Sequence, residues 1–403
     1  MSEWTLVPVG TVVTQRKDIV TLESDVEYRT MGVRWYGKGA YDRGIGTTDT
    51  IKAKRLFRAH EGDFVFNRID TQNGAFDVVP ANLDGALATN EFPLYSADPE
   101  QLSERFLLLY FQQPSVLAQI DAVRAGSEGR SRWKEADFEA WRIPLPTLAE
   151  QRRIVDVMAS VDAQIGVLGD EIICARAMLS RLNSDLIDAL PESRTLGEFT
   201  ATRSGPSYAA PDVSSTSSPG SVPVIGIPNT RPDGSLDLSD IGHVVGLPNS
   251  VAKVDESSLV LIRTNGNRQR IGNVYLPPPA AYEHAVSAFQ FLMKVDDTAD
   301  REFVFWLLRE PSMQASMSEA ASGTTGLGNL AVRWLNAVQV PWSDDLAVRA
   351  AVVAPLRSLQ DTIDASSEEI AHLRSLRTTL LTALLSQEIE IPEAYDSLIE
   401  TVT

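Results

Sequence analysis

A chain of 403 residues with 43% hydrophobic and 22% charged residues is long enough for two or three cored domains and is not disordered. Its net charge of −18 excludes a uniformly basic nucleic-acid binder, and its one cysteine, Cys174, excludes a disulfide framework or a multi-cysteine zinc site. The opening MSEWTLVPVG lacks the basic and apolar regions of a leader, and no run approaches the roughly 18 apolar residues of a membrane span, so a cytoplasmic protein is expected.

A first globular segment is expected over 1–146. It begins with short strand-like runs such as Asp63-Phe64-Val65-Phe66 and turns helical near 100–122, where Leu102, Phe106, Leu109, Tyr110 and Leu117 share a face. Ile143-Pro144-Leu145-Pro146 closes it, since proline ends one element and suits the first turn of the next. A long helix follows over 147–191. Its seam, Ile154, Met158, Val161, Ile165, Leu168, Ile172, Ala175, Leu179, Leu182 and Leu186, alternates spacings of four and three, the heptad signature of a coiled coil. About 40 residues of helix span about 60 Å.

A second globular segment is expected over 192–343. A mobile Ser/Pro-rich loop from Ser204 to Pro223 opens it, strands such as Ser258-Leu259-Val260-Leu261-Ile262 follow, and a helix falls near 300–317. A second long helix spans 344–388 on the seam Val352, Leu356, Leu359, Ile363, Ser366, Ile370, Leu373, Arg377, Leu380 and Leu384, and an acidic, frayed tail occupies 389–403. The two seams match in register at an offset of 198, as in Ile154 and Val352 or Ile165 and Ile363. The repeat enters the globular segments: Phe64-Val65-Phe66-Asn67-Arg68 aligns with Leu259-Val260-Leu261-Ile262-Arg263, and Gly126-x-x-Gly129 with Gly323-x-x-Gly326. The pattern predicts an α+β chain of two mixed, β-rich domains separated by two long helices that form an intramolecular antiparallel coiled coil. Ile154, Met158, Val161, Ile165, Leu356, Leu359, Ile363 and Ile370 are expected to carry the helix pair and its partner contacts.

No motif for amino methylation, S-adenosylmethionine binding, ATP binding or nuclease chemistry stands out, and His60, His243, His284 and His372 lack metal-ligand spacing. Residues 29–58 carry eight Lys and Arg against Asp42 and Asp49, a local excess of six positive charges in an acidic chain. There Arg34, Tyr36, Lys38, Arg43, Lys52 and Lys54 could meet phosphate and bases, and Arg68 and Asn73 could reach base edges; a solvated basic loop fits the composition equally. In the second segment, Arg263, Asn265, Asn267, Arg268, Gln269 and Arg270 are the densest recognition chemistry: Arg forks onto guanine, while Asn and Gln pair with adenine. The competing reading is a plain Asn265-Gly266 hairpin turn, and a hairpin tip can itself enter a groove. Backbone amides beside Thr324 and Thr325 could hold phosphate, or the loop is a plain connection. Trp133, Trp141, Trp306 and Trp334 sit at repeat positions that favour packing over base stacking.

Ile143-Pro144-Leu145-Pro146-Thr147-Leu148-Ala149-Glu150-Gln151-Arg152-Arg153-Ile154, with Gly39-Ala40-Tyr41-Asp42-Arg43, Gly62 to Asp70 and Asn73-Gly74-Ala75-Phe76, resembles the specificity (S) subunit of a Type I restriction–modification enzyme. The second boundary, Val340 to Arg349, departs by lacking the Glu-Gln-Arg-Arg string. The resemblance implies a non-catalytic subunit whose globular segments are target-recognition domains, each reading one half of a bipartite, asymmetric sequence in double-stranded DNA. It implies two methyltransferase (M) subunits that carry S-adenosylmethionine, and two restriction (R) motor-nuclease subunits in a complete restriction enzyme. The competing class is an acidic protein-binding scaffold or DNA-mimicking decoy, which the net charge favours and the basic segment opposes.

Overall fold

The computed structural model describes residues 4–53, 55–123, 132–323 and 326–396. These carry the α-helices α1 (Glu104–Phe111), α2 (Pro114–Val123), α3 (Glu135–Ala140), α4 (Leu148–Asp188), α5 (Arg301–Arg309), α6 (Pro311–Ala320), α7 (Val332–Ala337) and α8 (Leu346–Leu385) among short strands. The chain is mixed α and β, with two compact units: Met1–Leu168 with Glu369–Thr403, and Gly169–Glu368. Each unit therefore holds one globular head, part of α4 and part of α8.

In the first unit, Thr5–Pro8 pairs with Arg142–Leu145 and so joins the start of the head to its end. A four-stranded sheet runs in the order Val13–Arg16, Leu94–Ala97, Phe64–Phe66, Phe76–Val78. A five-stranded sheet runs Ile19–Val20, Leu56–Arg58, Leu87–Thr89, Tyr28–Arg34, Gly39–Gly46. Alternation sends Phe64 and Phe66 into a core of Phe76, Tyr95, Phe111, Trp133 and Phe138, while Val65 faces the core of the five-stranded sheet. Ile154 and Met158 of α4 and Leu381, Leu384 and Leu385 of α8 complete the first of these cores.

The second unit repeats this frame. Glu192–Thr195 pairs with Gln339–Trp342, and a four-stranded sheet runs Thr200–Ser204, Gln290–Val295, Ser258–Ile262, Val274–Tyr275. Its core joins Phe291, Phe303, Trp306 and Trp342 to Leu179 and Ile187 of α4 and to Val352, Leu356 and Ile363 of α8. The start of α4 meets the end of α8 in the first unit, and the end of α4 meets the start of α8 in the second, so the helices run antiparallel. Trp133, Trp141, Trp306 and Trp334 lie in or against these cores.

The boundary phrase has a physical reading. Thr147 and Glu150 form a capping box: the Glu150 amide donates to the Thr147 hydroxyl at 3.3 Å, and the Thr147 amide donates to the Glu150 carboxylate at 2.9 Å. Burial pushes the Glu150 carboxyl up, yet these donors hold it below its ordinary value. Buried Gln151 donates to the carbonyls of Gln101 and Pro146 and accepts from the Ser103 amide at 2.8 Å, which locks the helix start to the head. At the second boundary Asp345 caps α8 through the Ala347 amide at 2.8 Å. There Arg349, 198 residues after Gln151, takes over the lock by forking onto Asp300 at 2.6 and 3.0 Å. Asp300 stands 197 residues after Ser103, so the departure from the string exchanges a neutral lock for a charged one.

Several expectations need correction. The helix near 100–122 is two helices, because Pro114 cannot continue α1 and instead starts α2; Pro311 divides α5 from α6 in the same way. The Ser204–Pro223 loop is partly paired, with Val213–Ser214 on the strand Gly242–Val244. The tail is not frayed through Asp396: Ile391 packs on the first core, and Arg153 forks onto Asp396 at 2.8 Å through each of two nitrogens. A buried guanidinium needs a counter-charge, and the acidic tail supplies it. Along the seam Ile154, Met158, Leu168, Leu179, Leu356, Ile363 and Ile370 are buried, Leu359 packs on the second core half-buried, and Val161 and Ile165 are half-exposed. The polar seam residue Arg377 reaches Asp162 of α4, at 2.9 Å through Nη2, and the Gln112 side chain at 3.1 Å. The last turns of α4 leave the heptad: Ile187 rather than Leu186 is buried, packed in the second head's core.

Candidate nucleic-acid interface

In the first head, Tyr28–Arg34 and Gly39–Gly46 form an antiparallel hairpin with a bulge between Thr30 and Met31. Its tip is Trp35-Tyr36-Gly37-Lys38. The Lys38 amide donates to the Trp35 carbonyl at 3.4 Å, and Tyr36 and Gly37 both have positive φ, 63° and 65°. Two positive φ values at the centre of a turn mark type I′, which matches strand twist and normally takes Asn-Gly. A non-glycine there costs about 1 kcal/mol. Gly39 is required for another reason: a Cβ would lie 2.4 Å from the Asp77 carboxylate, which accepts from the Ala40 amide.

The tip rests on the turn Thr71–Asn73. The Tyr36 amide donates to the Asn73 carbonyl at 2.6 Å, Gly37 to Gly74 at 3.1 Å, and Trp35 Nε1 to the Ile69 carbonyl at 3.2 Å. Tyr36 and Asn73, far apart in sequence, thus share one surface. Arg34 is exposed and lies over the Tyr41 ring at 4.1 Å, and Lys38, Arg43 and Lys52 are exposed without an ion pair among the described residues. Arg29 pairs with Asp42 at 3.0 Å, so that acid is already engaged. Arg68 is used inside the head, donating to the Asn90 carbonyl at 3.1 Å and lying 3.4 Å from Glu135. Lys54, Thr324 and Thr325 lie outside the described residues, as does the Gly126-x-x-Gly129 loop.

In the second head, Asn265-Gly266 makes no type I′ hairpin turn. Thr264–Asn265 instead pairs with Gly328–Asn329, and the Asn265 side chain accepts from the Asn267 amide at 2.9 Å. Residues 263–273 form a wide connection between the paired strands Ser258–Ile262 and Val274–Tyr275, with a 3-10 turn over Arg268–Arg270 capped by Asn267. The first head has the same arrangement: its strands Phe64–Phe66 and Phe76–Val78 are joined through the 3-10 turn Thr71–Asn73.

The arginines of the second loop bond inward. Arg263 donates to Ser204 at 3.1 Å, Arg268 to the Gly323 carbonyl at 3.0 Å, and Arg270 to the Thr230 carbonyl and hydroxyl at 2.8 and 2.9 Å. Each guanidinium has five N–H donors, so exposed Arg268 keeps an outward edge. Asn267 and Gln269 are exposed, and no side-chain bond holds Gln269 among the described residues. Sequence reasoning missed Trp35, Ile69 and Asp77, which brace the hairpin; its local +6 charge pointed to the right segment, but not to its supports. Among the described residues, no group of three or more His, Cys, Asp or Glu could hold a metal ion, and no helix is long and apolar enough to cross a membrane.

Comparison with known proteins agrees with this architecture. Residues 1–173 match the family model of the Type I restriction modification DNA specificity domain. A Type I restriction–modification S subunit from M. genitalium is similar in fold, with a TM-score of 0.54 and 15% identity over 94% of this chain and 96% of that one. A chain from a study of complex assembly and conformational transition in the type I R-M system has a TM-score of 0.60 and 17% identity over 96% of this chain and 98% of that one. No curated protein matches the sequence. Residues 1–173 thus match a domain of this specificity family, and the chain shares the fold of these solved structures.

Proposed function

We propose that the chain reads a bipartite, asymmetric target in double-stranded DNA, one half per head, and directs two methyltransferase subunits to it. Restriction subunits join where the system also cleaves, and S-adenosylmethionine belongs to the methyltransferase. The observation that carries this reading is two heads on one strand frame whose exposed loops differ. The first offers Arg34, Lys38, Arg43 and Lys52 around a braced hairpin, and the second Asn267, Arg268 and Gln269 on a 3-10 turn. A repeated frame with unlike edges suits an asymmetric target: cations neutralise phosphate and set position, and a few side chains read bases. The helix pair serves as the spacer between half-sites.

Methylome sequencing of a strain that carries the chain with its methyltransferase tests the proposal. A methylated motif of two fixed half-sites around a constant gap supports it. A salt-dependent DNA shift assay with and without the methyltransferase separates it from the acidic scaffold or decoy, which binds protein and no DNA at any salt.

A further inference from the structure

Tyr36 breaks a local rule in full view of solvent. It occupies the first central position of a turn whose two positive φ values call for Asn, Asp or Gly, and it has φ 63°. It is 72% exposed, and among the described residues no hydrogen bond holds its hydroxyl. The ring is therefore not kept there by packing. The backbone beneath it is fixed on both sides, through the Tyr36 amide on the Asn73 carbonyl and the Gly37 amide on the Gly74 carbonyl, and Trp35 Nε1 anchors the neighbouring residue to Ile69. Strain at an exposed, over-braced position is a mark of function rather than of folding. Arg34 and Lys38 flank it, so the ring projects from a cationic rim.

We propose that Tyr36 is a specificity-determining residue of the first head, reading a base step in a DNA groove with its ring and hydroxyl. This rests on the reading that the heads bind DNA. A phenol offers an apolar face to a thymine methyl or sugar and one hydroxyl to a base edge, so it discriminates bases where Lys38 registers only phosphate. The bracing explains how a hairpin tip, ordinarily a mobile element, presents the Tyr36 backbone, and so the root of its ring, in one place.

The full chain assembled with its methyltransferase is measured against duplexes of its methylome-defined target and against single-base changes in each half-site. Tyr36→Gly and Tyr36→Asn suit the left-handed backbone, so their melting temperature is expected to equal or exceed that of the parent. Their discrimination is expected to fall about tenfold or more at one or two positions of the first half-site and to stay unchanged in the second. Tyr36→Phe keeps ring contacts and retains most of the discrimination. Lys38→Ala weakens every sequence alike. Parental discrimination at every position in both Tyr36→Gly and Tyr36→Asn overturns the inference and leaves the DNA-binding reading standing. Absence of sequence-specific binding by the parent overturns that reading instead.

Discussion

Arg349 and Asp300 form a two-pronged ion pair, each side chain 9% exposed, where the first half of the chain holds Gln151 against the Ser103 amide. Arg349 also donates to the Ser343 carbonyl at 2.6 Å and lies over Trp342 at 4.6 Å. Two chemistries at one structural position bind a long helix to its head.

Arg349→Ala leaves the buried Asp300 carboxylate uncompensated and is expected to cost about 3–5 kcal/mol, whereas Arg349→Gln with Asp300→Ser, which copies the first half, restores most of it. Urea unfolding followed by tryptophan fluorescence checks this. An equal loss in the single and double variants contradicts the exchange of locks.

The Arg153–Asp396 pair ties the tail to α4. The arginine's hydrogen bonds hold the Asp396 carboxyl below its ordinary value. A depressed carboxyl contributes attachment that is present above the unfolded value, about 3.9, and lost as pH falls through the lower folded value. Hydrogen exchange of residues 389–396, taken relative to the intrinsic rate at each pH, is expected to be slow at neutral pH and to quicken below about pH 4. Asp396→Asn makes it fast at neutral pH. Exchange already fast in the parent at neutral pH contradicts the anchor.

Arg34, Lys38, Arg43 and Lys52 are expected to act on phosphate. Alanine at each lowers the slope of log affinity against log salt by about one without altering base preference. Titrations at several salt concentrations decide it, and unchanged slopes in all four variants remove the hairpin from the interface.

Gln269 and Arg270 should part company although they are adjacent. Gln269 is exposed and free of side-chain bonds among the described residues, while Arg270 is spent on Thr230. Gln269→Ala is expected to relax the second half-site at unchanged stability, and Arg270→Ala to cost about 1–3 kcal/mol. Binding to single-base variants paired with thermal unfolding separates the two.

The long helices were legible because a heptad repeat is local: each apolar residue lies three or four positions from the next, and the copy 198 residues away reinforced it. The strand frame was half legible, since Phe64-Val65-Phe66 alternates but its neighbours are set by long-range pairing. What escaped depends on distant partners. Asn265-Gly266 looks like a turn until Gly328–Asn329 pairs beside it, and the acidic tail looks frayed until Arg153 meets Asp396 across 243 positions. Arg349 reads as a plain surface cation unless the two boundaries are aligned. In the candidate site, charge density found the hairpin, but not which arginines the heads consume.

The most direct measurement is methylome sequencing after removal of one heptad from both α4 and α8. Each helix shortens by about 10 Å, about three base pairs of B-DNA. Both half-sites are expected unchanged and the gap between them shortened by about that amount. An unchanged gap, or methylation without any two-part motif, contradicts this expectation.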